Sequence, residues 1–190
     1  TIFALSAISL YAIGTLLLDR FRWLPLIVLV LPNPALIYQL VTGSAVNPAY
    51  DASLSWLGTR TITNTINEYP LFSFVWGDVH AHVVSIFNQL FLILLLLFVY
   101  RNWESLDRAG KALIIILVSL SLGSMPLFNT WDVLIYAPLV LVIAFLLIRR
   151  NRAPSGRDTW AFLFTVPPLS VLCYLPFYLQ LQTQTGAIAL

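Results

Sequence analysis

Charge is what this sequence has least of. Only 9% of its residues are Asp, Glu, Lys or Arg, where a soluble domain carries about 25%. So few charges cannot cover a surface that faces water on all sides, so the chain must sit in lipid. Cysteine is nearly absent: Cys173 stands alone in an apolar run, and no internal disulfide is available. A basic excess is missing too. The net charge is +2, which offers no electrostatic footprint for nucleic acid. No initiator methionine, signal peptide or closing tail is visible. The chain opens inside an apolar run at Thr1 and ends at Leu190 after a polar Gln/Thr segment. That pattern is expected of an internal piece of a longer membrane protein, whose missing flanking spans would be its neighbours.

What is present is apolar. The hydrophobic fraction is 59% and the mean hydropathy is +0.88. A spanning helix needs about 20 mostly apolar residues, and six runs meet or approach that length: 2–18, 23–41, 83–100, 112–128, 133–148 and 160–178. The expected fold is all-α, a polytopic membrane bundle of about six spans forming one transmembrane domain, with one long outer loop at 42–82. Pro32-Asn33-Pro34 should bend or break the second span, since proline removes a backbone donor. Pro167, Pro168 and Pro176 should shape the sixth. Gly123 and Ser124 read as small residues for helix packing. Within the loop, Tyr69–Trp76 is too short to span and is rich in aromatics, which fits a segment lying at the membrane interface.

Charge placement orients the chain. With six spans, the turns at 19–22, 101–111 and 149–158 share one side and hold nine of the ten basic residues. If the proline-broken run did not span, the split would fall to seven against three. The positive-inside rule therefore favours six spans, puts the basic turns in the cytoplasm and sets the 42–82 loop on the outer face of the plasma membrane. Asp51, Glu68, Asp78, His80, His82 and Asp132 then share that outer side. The cytoplasmic acids Asp19, Glu104, Asp107 and Asp158 sit beside arginines. The outer acids have almost no basic partners, and ionisable groups at a membrane point to function.

The densest chemistry is Asn67–Val83, NEYPLFSFVWGDVHAHV. In an extended segment Asp78, His80 and His82 would point the same way; on a helix only 78 and 82 share a face. A carboxylate with two imidazoles suits a divalent metal such as Mg, Mn or Zn, and imidazoles equally suit a phosphate. The structural alternative is that Asp78 caps the third span and the histidines rest among head groups. Glu68 precedes Tyr69-Pro70, which stiffens the loop, so its carboxylate could serve as a general base or remain a solvated loop acid. Asn129-Thr130-Trp131-Asp132 closes a short turn. Asn129 and Asp132 either cap the fifth helix or join the outer site.

These residues resemble a family. INEYPLFSFVWGDVHAHV resembles the E-F/Y-P-x-F-S-F-x-x-G-D-L-H-P-H motif of the archaeal and bacterial polytopic membrane proteins called DUF2298, or YYY membrane proteins. GSMPLFNTWDVLIYAPL resembles that family's G-x-x-x-x-x-N-x-W-D-x-x-x-Y element, and LPFYLQLQTQTGAI its later L-P-F-Y-x-x-x-x-x-Q-x-x-G segment. The family is grouped with the GT-C glycosyltransferases, which take a sugar from a polyprenyl-phosphate carrier on the outer face. The resemblance implies such an activity here. Asp78 and Glu68 would be base or metal ligand, His80 and His82 ligands or phosphate contacts, and Asn129 and Asp132 further polar groups for substrate. A membrane lipid, a polyprenyl-phosphate sugar, is the implied partner. Two departures stand out. Ala81 replaces the family's proline between the histidines, which is expected to loosen the loop. The catalytic Asp of GT-C first outer loops is expected before Thr1. Two other classes compete: a metal-dependent membrane hydrolase built on Asp78, His80 and His82, and a non-catalytic transport or assembly subunit. A transporter should carry ionisable residues near the middle of its spans, whereas these cluster at span ends.

Overall fold

The computed structural model describes residues 1–43, 58–59, 62, 67–77, 80–150 and 156–180. The described residues form helices and turns, with no strand among them. Helix α1 covers Ile2–Leu17. A 3-10 turn at Leu24–Leu26 packs back on α1 and runs into the short α2, Ile27–Val30. Then the chain breaks. Pro32 cannot donate a backbone bond and its ring crowds the preceding turn. The helix restarts as α3, Pro34–Thr42, with Pro34 in the first turn and the Asn33 side chain accepting from Ala35 N at 3.0 Å. The axis bends by 69° across this break, as the proline spacing predicts.

The helix α4, Pro70–Trp76, is the short aromatic segment, and Gly77 closes it at φ 65. That left-handed conformation favours glycine, and it turns the chain toward the 22-residue α5, Ala81–Asn102. A 3-10 turn, Trp103–Ser105, leads to α6, Arg108–Phe128. Asp107 caps α6 by accepting from Gly110 N at 2.8 Å, which satisfies one of the orphan donors of its first turn. Then follow α7, Asp132–Arg150, α8, Gly156–Cys173, and α9, Leu175–Gln180. Helix α8 passes through Pro167 and Pro168, and the break comes only at Tyr174. Pro176 falls in the first turn of α9, where its missing N–H is not needed.

All six apolar runs are thus helical. Among the described residues, three helices are long and apolar enough to cross a membrane: α5 with its following turn, α6 and α7. The bent pair 24–42 would make a fourth. Helix α1 has 16 residues, or about 24 Å at 1.5 Å per residue, against about 30 Å of hydrocarbon.

The chain divides into two compact units, Thr1–Leu90 and Phe91–Leu190. In the second, Leu92, Val99, Val118, Met125, Ala144, Phe162 and Val166 form a closed apolar core, with Trp103 edge-on to Phe162 at 5.4 Å. Lys111 reaches Asp158 at 2.7 Å and lies over the Trp103 ring at 5.5 Å. Helices α6 and α8 pack very closely. A β-carbon on Gly123 would land on the Ser170 carbonyl oxygen, and Tyr178 Oη donates to Gly123 O at 2.7 Å. Small residues at such crossings let backbones approach where lipid supplies no hydrophobic drive. Gly123→Ala must push the helices apart. It should destabilise the protein by about 1–3 kcal/mol, read from denaturation in detergent, while Ala at the exposed Leu120 should change little.

Candidate functional site

Glu68 is held by its neighbours. Asn67 N donates to Thr59 O at 2.9 Å, and Asn67 Oδ1 accepts from Ile62 N at 3.2 Å. On the other side Tyr69 is extended, at φ −124 and ψ 155, as a residue before proline must be. Burial raises the Tyr69 phenol above its ordinary value, so it stays a neutral hydroxyl. Phe72 and Ser73 of α4 are buried, and Phe72 stacks obliquely between Tyr69 and Trp76.

The seven residues of α4 carry the chain away, and the Gly77 turn begins its return. His80 then stands at the start of α5. Its carbonyl accepts from Val83 N at 3.0 Å and Val84 N at 3.1 Å, so Ala81 is the first helical residue and His82 the second. A hydrogen bond from Ser85 Oγ to His82 O, 2.8 Å, secures this turn.

The result is a carboxylate faced by two imidazoles. His80 Nδ1 and His82 Nε2 each lie 3.8 Å from the same oxygen, Glu68 Oε2. The rings are nearly parallel, 10° apart with centroids at 5.8 Å. The Glu68 side chain is 4% exposed, while those of His80 and His82 are 56% and 53% exposed. The acid lies behind and the imidazoles face outward. At 3.8 Å these contacts are longer than hydrogen bonds of about 2.7–3.2 Å. Nδ1 of His80 and Nε2 of His82 are the ring nitrogens that meet the acid.

The sequence grouped His80 and His82 with Asp78 and treated Glu68 separately. The structure joins Glu68 to both histidines, and Asp78, like Asp51, lies outside the described residues. The helix begins between the two histidines, at Ala81. Among the described residues, no three His, Cys, Asp or Glu side chains gather closely enough to hold a metal ion. In the second unit, Asn129 Nδ2 donates to Asp132 Oδ1 at 2.7 Å, and Asp132 N donates to Asn129 O at 3.1 Å. Asp132 is buried. The pair thus closes the α6–α7 turn and starts α7.

Comparison with known proteins bears on this site. The family described as uncharacterized membrane protein DUF2298 matches residues 1–190. The chain belongs to DUF2298. No curated protein and no solved structure matches it. Membership gives the Ala81 departure a physical meaning. The motif that this stretch resembles has proline there, and Ala81 is the first residue of α5, a position that proline favours. Ala81→Pro should therefore be neutral or stabilising, by up to about 1 kcal/mol, in thermal unfolding of the detergent-solubilised protein. A loss of more than that would show that the Ala81 backbone is incompatible with proline.

Proposed function

We propose that this DUF2298 chain is part of a GT-C-like membrane glycosyltransferase that uses a polyprenyl-phosphate-linked sugar, with Glu68, His80 and His82 at the phosphate. One observation carries the reading: a buried carboxylate backs two half-exposed imidazoles at the head of a 22-residue apolar helix. The family resemblance supplies the reaction class, and the charge of the basic turns supports a site on the outer face of the plasma membrane.

The reaction follows from these groups. An acceptor oxygen attacks the anomeric carbon, the bond from that carbon to the phosphate oxygen breaks, and the carrier leaves as a lipid phosphate. Charge grows on the departing phosphate, and fixed donors aimed at it lower the barrier. The outward nitrogens of His80 and His82 serve as those donors. Glu68 holds both rings and balances their charge when they are protonated. Asp78 takes the acceptor proton as general base. A second reading is a metal-dependent hydrolase built on Asp78, His80 and His82, donor types that bind Zn or Mn.

A transfer assay on the full-length protein in proteoliposomes, with polyprenyl-phosphate sugars, separates the two. Transfer should fall about 10²–10⁴-fold in Asp78→Asn, the usual worth of a general base, and at least about tenfold in Glu68→Gln and in His80→Ala with His82→Ala. Transfer that survives all three changes removes the site from the mechanism. Donor-independent hydrolysis abolished by a chelator establishes the hydrolase instead.

A further inference from the structure

The second unit has a groove at the end where its basic residues gather. Helices α6 and α8 both start there and run parallel. Lys111 meets Asp158 at 2.7 Å, Ser119 donates to the Val166 carbonyl at 3.4 Å, and Gly123 lies against Ser170. Each pair keeps the same offset along the chain. The backbones touch at Gly123. Nearer their starts the two helices leave a groove of about 170 Å³, lined by Arg108, Lys111, Ala112 and Ile115 of α6 and by Asp158 and Ala161 of α8. The α6 residues are three or four apart and share one face. Charge lies at the start of each helix, and the apolar residues follow one turn further in. Lys111 is fixed: its ammonium bonds Asp158 and lies over the Trp103 ring at 5.5 Å, and its side chain is only 15% exposed. Arg108 is exposed, and among the described residues no ion pair joins it to an acid. Arg101 and Arg150 stand at the same end, where Arg150 donates to the Tyr100 carbonyl.

We infer that this groove binds the head group of an anionic phospholipid with a single phosphodiester, of which phosphatidylglycerol is the simplest. The inference is independent of the site at Glu68. The charged lining is Arg108, Lys111 and Asp158, an excess of one positive charge, which matches one phosphodiester. Asp158 takes one of the three donors of the Lys111 ammonium and leaves the others. Arg108 lies one helical turn away, and its planar guanidinium fork suits phosphate oxygens. Ala112, Ile115 and Ala161 offer no polar side chain, so they suit the glycerol and the first carbons of the acyl chains. A groove of about 170 Å³ is smaller than ordinary ligand sites of about 300–1,000 Å³. Only the head enters, and the tails stay in the bilayer, where the exposed Leu113 and Ile116 of α6 offer them an apolar surface. A free phosphate would leave the apolar walls unused. A zwitterionic lipid would bring a cation toward Arg108 and Lys111. Basic pockets between spans recognise anionic head groups on the cytoplasmic side, and the charge of the turns supports that side for this end.

Photo-cross-linking tests this on the full-length protein in phosphatidylcholine nanodiscs. The probe is phosphatidylglycerol carrying a diazirine at the head end of one acyl chain. Cross-links that unlabelled phosphatidylglycerol competes away should map to 108–115 and 158–161. Arg108→Gln alters an exposed side chain and leaves the Lys111–Asp158 contact in place. It removes a charge-assisted hydrogen bond, so the yield should fall about tenfold. Arg149→Gln, at the same end but outside the groove, should leave the yield unchanged. Equal losses in the two variants would mean diffuse attraction to a basic surface and overturn the proposal. Competed cross-links confined to other residues, or none at all, overturn it on the unaltered protein. Inorganic phosphate that competes as well as the lipid assigns the groove to the free ion, and the lipid proposal falls.

Discussion

Hydrocarbon offers no hydrogen bonds, and every polar group that enters it must be answered by the chain itself. The details of this protein follow from that constraint. Where helices stop, a side chain or a glycine takes over. Asn33 supplies an acceptor after the Pro32 break, Asp107 caps α6, and Asn129 with Asp132 closes the turn between α6 and α7. The basic residues gather at helix ends, where Lys111 pairs with Asp158 and Arg150 donates to the Tyr100 carbonyl at 2.9 Å. Each device is local, and each is placed where the helical ladder leaves groups open.

Glu68 is the case where the answer comes from afar. Burying a carboxylate costs several kcal/mol unless a partner compensates, and Glu68 has almost no exposure. Its fixed neighbours hold the acid in place, and the first turn of α5 holds the two rings that face it. Because the imidazoles are half exposed, part of their interaction with Glu68 is screened by solvent. The arrangement therefore positions the rings more than it stabilises the fold. The two rings lie nearly parallel, 10° apart, with much of each left exposed.

The helices were legible in the sequence because apolar runs and prolines act locally. The bend at Pro32-Asn33-Pro34, the extended Tyr69 before Pro70 and the turn at Gly77 all follow from one or two residues each. The close packing at Gly123 was also legible, since small residues such as Gly123 and Ser124 in a leucine-rich span favour helix packing. The pairing of Glu68 with His80 and His82 was not. It depends on how far α4 carries the chain and how Gly77 sends it back, and no periodicity encodes that distance. Proximity in sequence pointed to Asp78, which lies outside the described residues; tertiary folding brings up a further acid, Glu68, from beyond α4. The same limit applies to span counting. Composition marks six apolar runs, but whether a 16-residue helix such as α1 crosses a membrane depends on neighbours and tilt as well as on hydropathy.

The two units differ in a way that bears on function independently of any one residue type. The second is built for close contact: Gly123 lies against Ser170, Ser119 and Ser170 both bond the Val166 carbonyl, and the core is filled by interlocking apolar side chains. The first spends its residues on irregularity. It contains a broken helix, a seven-residue helix ended by a left-handed glycine, and a cavity where helices could have met. Irregular backbone in a membrane protein is tolerated where it is buried in protein or lines a cavity. A chain that needed only to pack would have extended α2 and α4 into plain spans. The first unit keeps them short, and it also holds the buried acid and the two imidazoles that face it.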